Sequence, residues 1–303
     1  MIISGKTQLL GVIGYPVEHS FSPVMHNAAI AVLNQPLSGN LEAHIGSANY
    51  VYLPFPIHPD GLQAAITGFA AIGLRGFNIT IPHKQAIIPL LDEITDVARA
   101  IGAVNTVWRE GKRWWGTNTD AAGFLAPLQA MDQNWETVPA IVLGNGGAAR
   151  AVITACHQLG CREIWVVGRS PDKLAAFAQS WESAPEIAKK LSVLPWQLLA
   201  ERLPNAGLVV NATPVGMHPA VEDSPLSDRE IELMRKGTVA YDLIYTPRPT
   251  RFLQQAKAAG LTAIDGLEML VQQGAAALEI WLDRPAPVEV MRQALLNHLE
   301  QTT

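Results

Sequence analysis

Two ionisable residues stand where the chain could use them to move a proton. Lys84 follows the apolar run Leu74–Ile81 and the turn Pro82-His83. Asp120 opens the run AAGFLAPLQAM, a helical pattern whose positive end favours an ionised carboxylate. A lysine beside an aspartate makes a coupled pair able to pass one proton. A ketone that accepts hydride needs such a donor within hydrogen-bond reach. Spacing alone does not separate this chemistry from the ordinary roles, a solvated lysine and a helix cap. Among the residues around them are Ser20, Ser22, Asn78, Thr80 and Asn105, with Thr117 and Asn118 close to Asp120. These hydroxyl and amide groups suit a polyhydroxylated substrate, in which each OH needs a partner. His19, His26 and His83 do not have metal-ligand spacing, so no metal site is expected.

A hydride donor needs its own cradle, and Ala140–Ala151 (AIVLGNGGAARA) has the pattern. Four apolar residues predict a strand, Gly144, Gly146 and Gly147 a turn, and the alanines after them a helix. Gly144 suits the tight turn. Gly146 lets a pyrophosphate approach the backbone, and Ala149 lets helix pack on strand. Free N–H groups and the helix dipole would hold the phosphates. By itself the motif is also compatible with a plain turn before a helix. The next strand, Glu163–Val167, ends in Gly168-Arg169-Ser170, with Lys173 nearby. A carboxylate there would hold a ribose 2′-OH. Arg169 cannot accept from a hydroxyl but can pair with a 2′-phosphate. The position therefore favours NADP, the alternative being a solvated surface charge. Asn211-Ala212-Thr213-Pro214 either lines the adenine side of the crevice or is a polar turn.

The elements that must position these groups alternate. Strands are expected at Leu9–Ile13, Tyr50–Phe55 and Leu74–Ile81. Helices are expected from an N-cap at Ser22 to about Asn34, from Pro59 to about Ile72, and from about Gln85. This is the pattern of a mostly parallel sheet with covered faces. Asn105–Arg109 and Arg113–Gly116 read as two strands around the turn Glu110-Gly111. A second series begins near Val138. Its later strands are Leu191–Leu194, Leu208–Asn211, Val239–Leu243 and Leu261–Ile264, with helices such as Pro171–Trp181 and Arg248–Ala259 between them. That is a doubly wound α/β domain. Helical patterns at Leu267–Asp283 and Val288–Glu300 close the chain.

The 303 residues imply about two domains. With 49% hydrophobic and 16% charged residues the composition is globular, and a net charge of −5 gives no basic footprint for nucleic acid. Cys156 and Cys161 read as reduced core thiols of a cytoplasmic protein. No signal-peptide pattern or membrane-spanning run is seen.

Taken together, VIGYPVEHSFSPVMHN, GFNITIPHK, GAVNT, TNTDAAG, GNGGAA, NATPVGM, DLIYTP and DGLEMLVQQGA resemble the shikimate dehydrogenase family, in the family's order from Val12 to Ala275. The resemblance implies two α/β domains. An N-terminal substrate domain, 1–121, would have helices of about 267–303 packed back onto it. A Rossmann-like NADP domain would span 122–266, with a cleft between the two. The implied reaction is NADPH-dependent reduction of 3-dehydroshikimate to shikimate, toward chorismate and the aromatic amino acids. Ser20 and Ser22 match residues that hold the substrate carboxylate, and Lys84 matches the catalytic lysine. Asn105 and Asp120 match groups on the ring hydroxyls, Asp120 also being the lysine's partner. Thr80, Tyr245 and Gln273 match further substrate contacts. Gly144, Asn145, Gly146, Gly147 and Ala148 match the pyrophosphate loop, and Gly168, Arg169, Ser170 and Lys173 the segment that reads the 2′-phosphate. Leu243 and Gly266 match positions near the nicotinamide, and Asp96 an acidic position at the cofactor. Asn145 stands where the family commonly has Ala, GRS where it has NRT, and Glu268 where Gly is frequent. The partners implied are a small-molecule substrate and no nucleic acid or membrane, in a monomer or homodimer. The alternatives are a quinate/shikimate dehydrogenase using NAD, which Arg169 argues against, and a nucleotide-sensing protein without catalysis.

Overall fold

Apolar runs such as Ala140–Leu143 and Leu208–Asn211 become strands buried on both faces, as a parallel sheet between helices requires. A computed structural model describes residues 3–34 and 49–302. Two compact units divide the chain: Met1–Thr119 with Val271–Thr303, and Asp120–Leu270. Among the described residues each unit holds a six-stranded sheet.

The strands of the first unit are β1 (Gln8–Gly14), β2 (Tyr50–Pro56), β3 (Gly76–Ile79), β4 (Glu93–Ile94), β5 (Thr106–Glu110) and β6 (Arg113–Thr117), in the order β2-β1-β3-β5-β6-β4. β1 pairs in parallel with β2 and β3, and β4 with β6. β5 and β6 form an antiparallel hairpin, and β5 also runs antiparallel to β3. Its core gathers Ile13, Phe69, Leu74, Phe77 and Val107 under the helices. Trp281, on the helix Gly266–Leu282, donates its indole N–H to the Val107 carbonyl at 2.9 Å. Gly76 makes room for that ring, since a Cβ there would lie 2.2 Å from the indole nitrogen. Gly274 does the same for Met25, with a built Cβ 2.4 Å from its terminal methyl. The C-terminal helices thus close on the sheet and on the helix Ser22–Leu33, against which Val288–Thr302 also packs.

The second unit contains β7 (Pro139–Leu143), β8 (Glu163–Gly168), β9 (Leu191–Pro195), β10 (Leu208–Asn211), β11 (Val239–Asp242) and β12 (Thr262–Ile264). Their order, β12-β11-β10-β7-β8-β9, is all parallel. This is the doubly wound arrangement, with its switch point beside β7, where ligands bind beyond the carboxyl ends of the strands. Buried Ile141, Val167, Val209, Ala240 and Phe252 are part of the core of this unit.

Several boundaries differ from the sequence reading. Ser22 is the first helical residue and Phe21 the N-cap, whose ring has no acceptor for a side-chain cap bond. The third strand keeps only Gly76–Ile79 of the expected Leu74–Ile81. The helix expected from Gln85 starts at His83 and is one turn long, followed by a 3₁₀ turn at Ile88–Leu90. The helix expected from Arg248 starts at Arg251, because the Thr250 side chain accepts from the Leu253 amide and caps it there. The two-residue β4 and the helix Asp96–Ile101 were not anticipated, being too short to carry a period. Cys156 and Cys161 are both buried and unbridged. No described helix is long and apolar enough to cross a membrane.

Candidate functional site

Most of the candidate substrate residues gather at one end of the first sheet, where β1 and β3 finish and β5 begins. Lys84 lies on the short helix His83–Ala86 just beyond β3 and is half-buried. The backbone that carries it is fixed by neighbouring groups. The buried His83 ring donates from Nε2 to the Ile57 carbonyl at 2.7 Å. The Ile57 amide bonds Gly14 O, the Thr80 amide bonds Ile13 O, and the Val104 amide bonds Lys84 O at 2.8 Å. The ends of β1, β2 and β3 are thereby tied together under the lysine. Thr80 is seated against Gly14, where a Cβ would lie 2.4 Å from the threonine methyl.

Asn105 is 2% exposed, and its amide orientation is set by a donor that cannot flip. The backbone N–H of Thr119 bonds Oδ1 at 2.8 Å, and the Thr106 hydroxyl donates to the same oxygen at 2.9 Å. The NH2 end therefore faces Gln273, whose Oε1 accepts at 3.4 Å. Gln273 is itself buried, so this contact joins two buried amides. Thr106 and Thr119 were missed as orienting residues. Their place next to Asn105 and Asp120 in GAVNT and TNTD was the available signal.

Ser20 and Ser22 lie at the start of the helix Ser22–Leu33, with the Ser22 amide directed to Ser20 Oγ at 3.4 Å. Asn27 clamps this helix to β2, donating to Tyr52 O at 2.8 Å and accepting from Tyr52 N at 3.0 Å. The Tyr52 hydroxyl donates to Asn78 Oδ1 at 2.7 Å, and Asn78 donates on to Thr106 Oγ1 at 3.1 Å. His26 stacks on Tyr52 at 4.2 Å, and burial pushes its ring down to about 3, so it is neutral. Two more of the residues expected around a polyol also bond within the fold. The Thr117 hydroxyl bonds Thr95, the cap of the helix Asp96–Ile101, and Asn118 donates to the Ala103 carbonyl. No group of three or more His, Cys, Asp or Glu among the described residues could hold a metal ion.

Asp120 begins the helix Asp120–Gln129 and belongs to the second unit, as does Tyr245. Tyr245 is half-buried, and that burial raises its phenol above the ordinary value. Asp96 is exposed on the first unit, at the start of its helix, whereas the glycine cradle is on the second.

The cradle has the shape a dinucleotide needs. Gly144 has φ +100°, a left-handed conformation that favours glycine, and Thr213 Cγ2 lies 2.9 Å from where its Cβ would be. Gly146 caps the helix Gly147–Gln158 with no side chain bonded to its first amides. A Cβ at Gly146 or Gly147 would enter open space, and Gly146, Gly147 and Ala148 are exposed. The room and free helix start fit a pyrophosphate. Arg169 is exposed just past β8. Ser170 is the N-cap of the helix Pro171–Gln179, accepting from the Lys173 amide. Asn145 Oδ1 lies 3.2 Å from a Cβ built on Gly168, so the glycine at the strand end accommodates the asparagine in the cradle. Gly266 packs on Leu243, with its built Cβ 2.1 Å from the Leu243 carbonyl oxygen.

Behind these loops, Asp242 is fully buried at the end of β11. Burial raises its carboxyl to about 6; bonds from Thr250, the Ile244 amide and Asn211 oppose the shift, and Asp265 adds to it. The ordinary value is 3.8, so the proton is held more tightly in the folded chain. The stability this contributes is full below about pH 4 and is lost as pH rises through about 6. Asp242→Asn removes that titration. The variant is expected to gain stability over the parent between about pH 4 and pH 7, by on the order of 2 kcal/mol. Urea unfolding of both at the two pH values checks this, and a difference independent of pH would contradict it.

The chain is similar to known proteins in sequence and in fold. Residues 12–107 match the shikimate dehydrogenase substrate binding domain, 128–270 match shikimate / quinate 5-dehydrogenase, and 266–296 match the shikimate 5'-dehydrogenase C-terminal domain. The shikimate dehydrogenase (NADP(+)) of Nostoc sp. is 59% identical over 98% of this chain and 99% of its own. The crystal structure of shikimate dehydrogenase from Aquifex aeolicus superposes with a TM-score of 0.81 at 37% identity, covering 97% of this chain and 99% of that one. That of the Thermus thermophilus enzyme in complex with NADP(H) and shikimate gives a TM-score of 0.79 at 36% identity, over 95% of this chain and 98% of that one. On sequence and fold alike, the chain belongs to the shikimate dehydrogenase family.

Proposed function

We propose that this chain is an NADP-dependent oxidoreductase that reduces 3-dehydroshikimate to shikimate, a step toward chorismate and the aromatic amino acids. The observation that carries the reading is the oriented amide pair Asn105–Gln273 at the same sheet end as Thr80 and Lys84. Such a set of polar groups with fixed orientation suits a ring that carries several hydroxyls, each of which needs a partner. Ser20 and Ser22 hold the substrate carboxylate, and Tyr245 adds a hydroxyl. Gly144 to Ala148 hold the pyrophosphate of NADP, and Gly168, Arg169, Ser170 and Lys173 the 2′-phosphate end. Leu243 and Gly266 flank the nicotinamide, and Asp96 is an outlying cofactor contact.

When bound, NADPH supplies the hydride. Lys84 gives a proton to the oxygen at C3 as negative charge grows there, and Asp120 balances the lysine's charge and exchanges the proton with it. In the oxidative direction Lys84 takes that proton back. The whole set would not be needed by a protein that only sensed nucleotide.

The test is an absorbance assay of nicotinamide reduction with shikimate or quinate, each with NADP or NAD. The highest kcat/KM is expected for shikimate with NADP. A preference for quinate with NAD would replace this reading with the quinate/shikimate alternative. Tight NADP binding with no turnover in any combination would leave a nucleotide sensor.

A further inference from the structure

The hydrogen bonds behind the cradle form a single buried chain that touches both cofactor loops. Asp242 Oδ1 accepts from the Ile244 amide at 3.0 Å and from Asn211 Nδ2 at 3.0 Å, while Oδ2 accepts from the Thr250 hydroxyl at 2.7 Å. Asn211 uses its whole amide. Nδ2 also donates to Val215 O at 3.1 Å, and Oδ1 accepts from the Thr213 amide at 3.1 Å and its hydroxyl at 2.6 Å. The Thr213 methyl is the group packed against Gly144 of the cradle. On the other side, the loop that carries Leu243 and Tyr245 is held by the Asp242 side chain at the Ile244 amide, and by backbone bonds from the Leu243 amide to Asn211 O and from the Gly266 amide to Ile244 O.

Asp242 and Asn211 are both fully buried, at the ends of adjacent parallel strands. Neither side chain is exposed to a ligand, so the network acts through what it holds. A shift of either loop would misplace the nicotinamide relative to the pyrophosphate, and small misplacements cost turnover steeply.

We propose that Asp242 is a positioning residue for hydride transfer, holding the 243–245 loop through the Ile244 amide and the 211–215 turn through Asn211 in one fixed spacing. The inference rests on the reading of the second unit as the NADP domain. Its essential property is an acceptor oxygen shared by Asn211 and Ile244. Asn at 242 keeps that oxygen and Leu removes it.

The test compares the full-length parent with Asp242→Leu, Asp242→Asn and Asn211→Ala. It reads the NADP+ dissociation constant by calorimetry, kcat with saturating shikimate, and the thermal midpoint. Asp242→Leu is expected to weaken NADP+ and lower kcat by about tenfold or more each, the effect of losing buried bonds on both loops. Asp242→Asn should restore both to within about threefold. Asn211→Ala cuts the Thr213 side and leaves the Ile244 bond. It should weaken NADP+ by about tenfold with kcat within about threefold.

A merely structural role would lower the thermal midpoint without this split. Parental binding and turnover in a folded Asp242→Leu protein would overturn the inference, as would Asp242→Asn being equally impaired. If Asp242→Leu does not fold, Asn211→Ala decides, and parental NADP+ affinity there overturns it. A parent that binds no NADP+ would overturn the domain reading and this inference together. A parent that binds while the variants behave like it overturns this inference alone.

Discussion

Lys84→Ala is expected to lower kcat for shikimate oxidation by about 10²–10⁴-fold, the range for a positioned acid–base group, while shikimate binding changes little. The reason lies in how the lysine is held. The turn that carries it is fixed by the His83 bond to Ile57 and by the Val104 amide on the Lys84 carbonyl, both independent of the lysine side chain. Truncation at 84 therefore leaves the backbone, Thr80 and the Asn105–Gln273 pair in place. In the proposed mechanism, what is lost is the group that exchanges a proton with the oxygen at C3. Water can take over the proton, but without a fixed position and with a poorly matched pKa. Calorimetry of shikimate on the variant, beside its kcat, separates the two effects. Turnover within a few fold of the parent would remove Lys84 from the chemistry. Lost binding with parental turnover would make it a ligand contact only.

Arg169→Ala is expected to raise the KM for NADPH by about 10–100-fold, the equivalent of about 1.5–3 kcal/mol for a charge-assisted bond. The KM for NADH, which has no 2′-phosphate, should stay within about twofold. Arg169 is exposed at the end of β8, while Ser170 beside it is engaged in capping the next helix. The guanidinium is thus the side chain at this strand end with a full charge to offer the 2′-phosphate, and Lys173 follows one turn on. Asn145 lies over Gly168 next to it, so the amide at this corner comes from the cradle and not from the strand. Steady-state kinetics with each reduced cofactor checks the prediction. Equal changes for NADPH and NADH would mean that Arg169 does not read the phosphate.

The strands were legible because parallel strands buried on both faces leave short apolar runs, as at Ala140–Leu143 and Leu208–Asn211. The cradle was legible because a positive φ and close approach demand glycine, a constraint visible one residue at a time. The helix starts at Ser22 and Arg251 were misplaced by one to three residues: Ser22 and Pro23 carry a capping signal that Phe21, at the cap position, lacks, and Thr250 caps the later helix from inside the expected run. Where the polar side chains point was not legible at all. Asn105 and Asn118 are both asparagines beside threonines. One is oriented by the Thr119 amide toward Gln273, the other is bonded to the Ala103 carbonyl. That choice is made by backbone groups brought close by the sheet. Asp242 read only as a position inside the expected strand Val239–Leu243, and only the fold brings Asn211, Ile244 and Thr250 onto its carboxylate.

The central claim is that the chain reduces the carbonyl at C3 of 3-dehydroshikimate with hydride taken from NADPH. The most direct measurement supplies the chain with 3-dehydroshikimate and NADPH deuterated at the transferable position of the nicotinamide, then reads the product by NMR. The account predicts shikimate with deuterium on carbon at C3 and an equal loss of reduced cofactor. Reduced cofactor left intact, or shikimate formed with no deuterium at C3 from either stereochemically labelled cofactor, would contradict it.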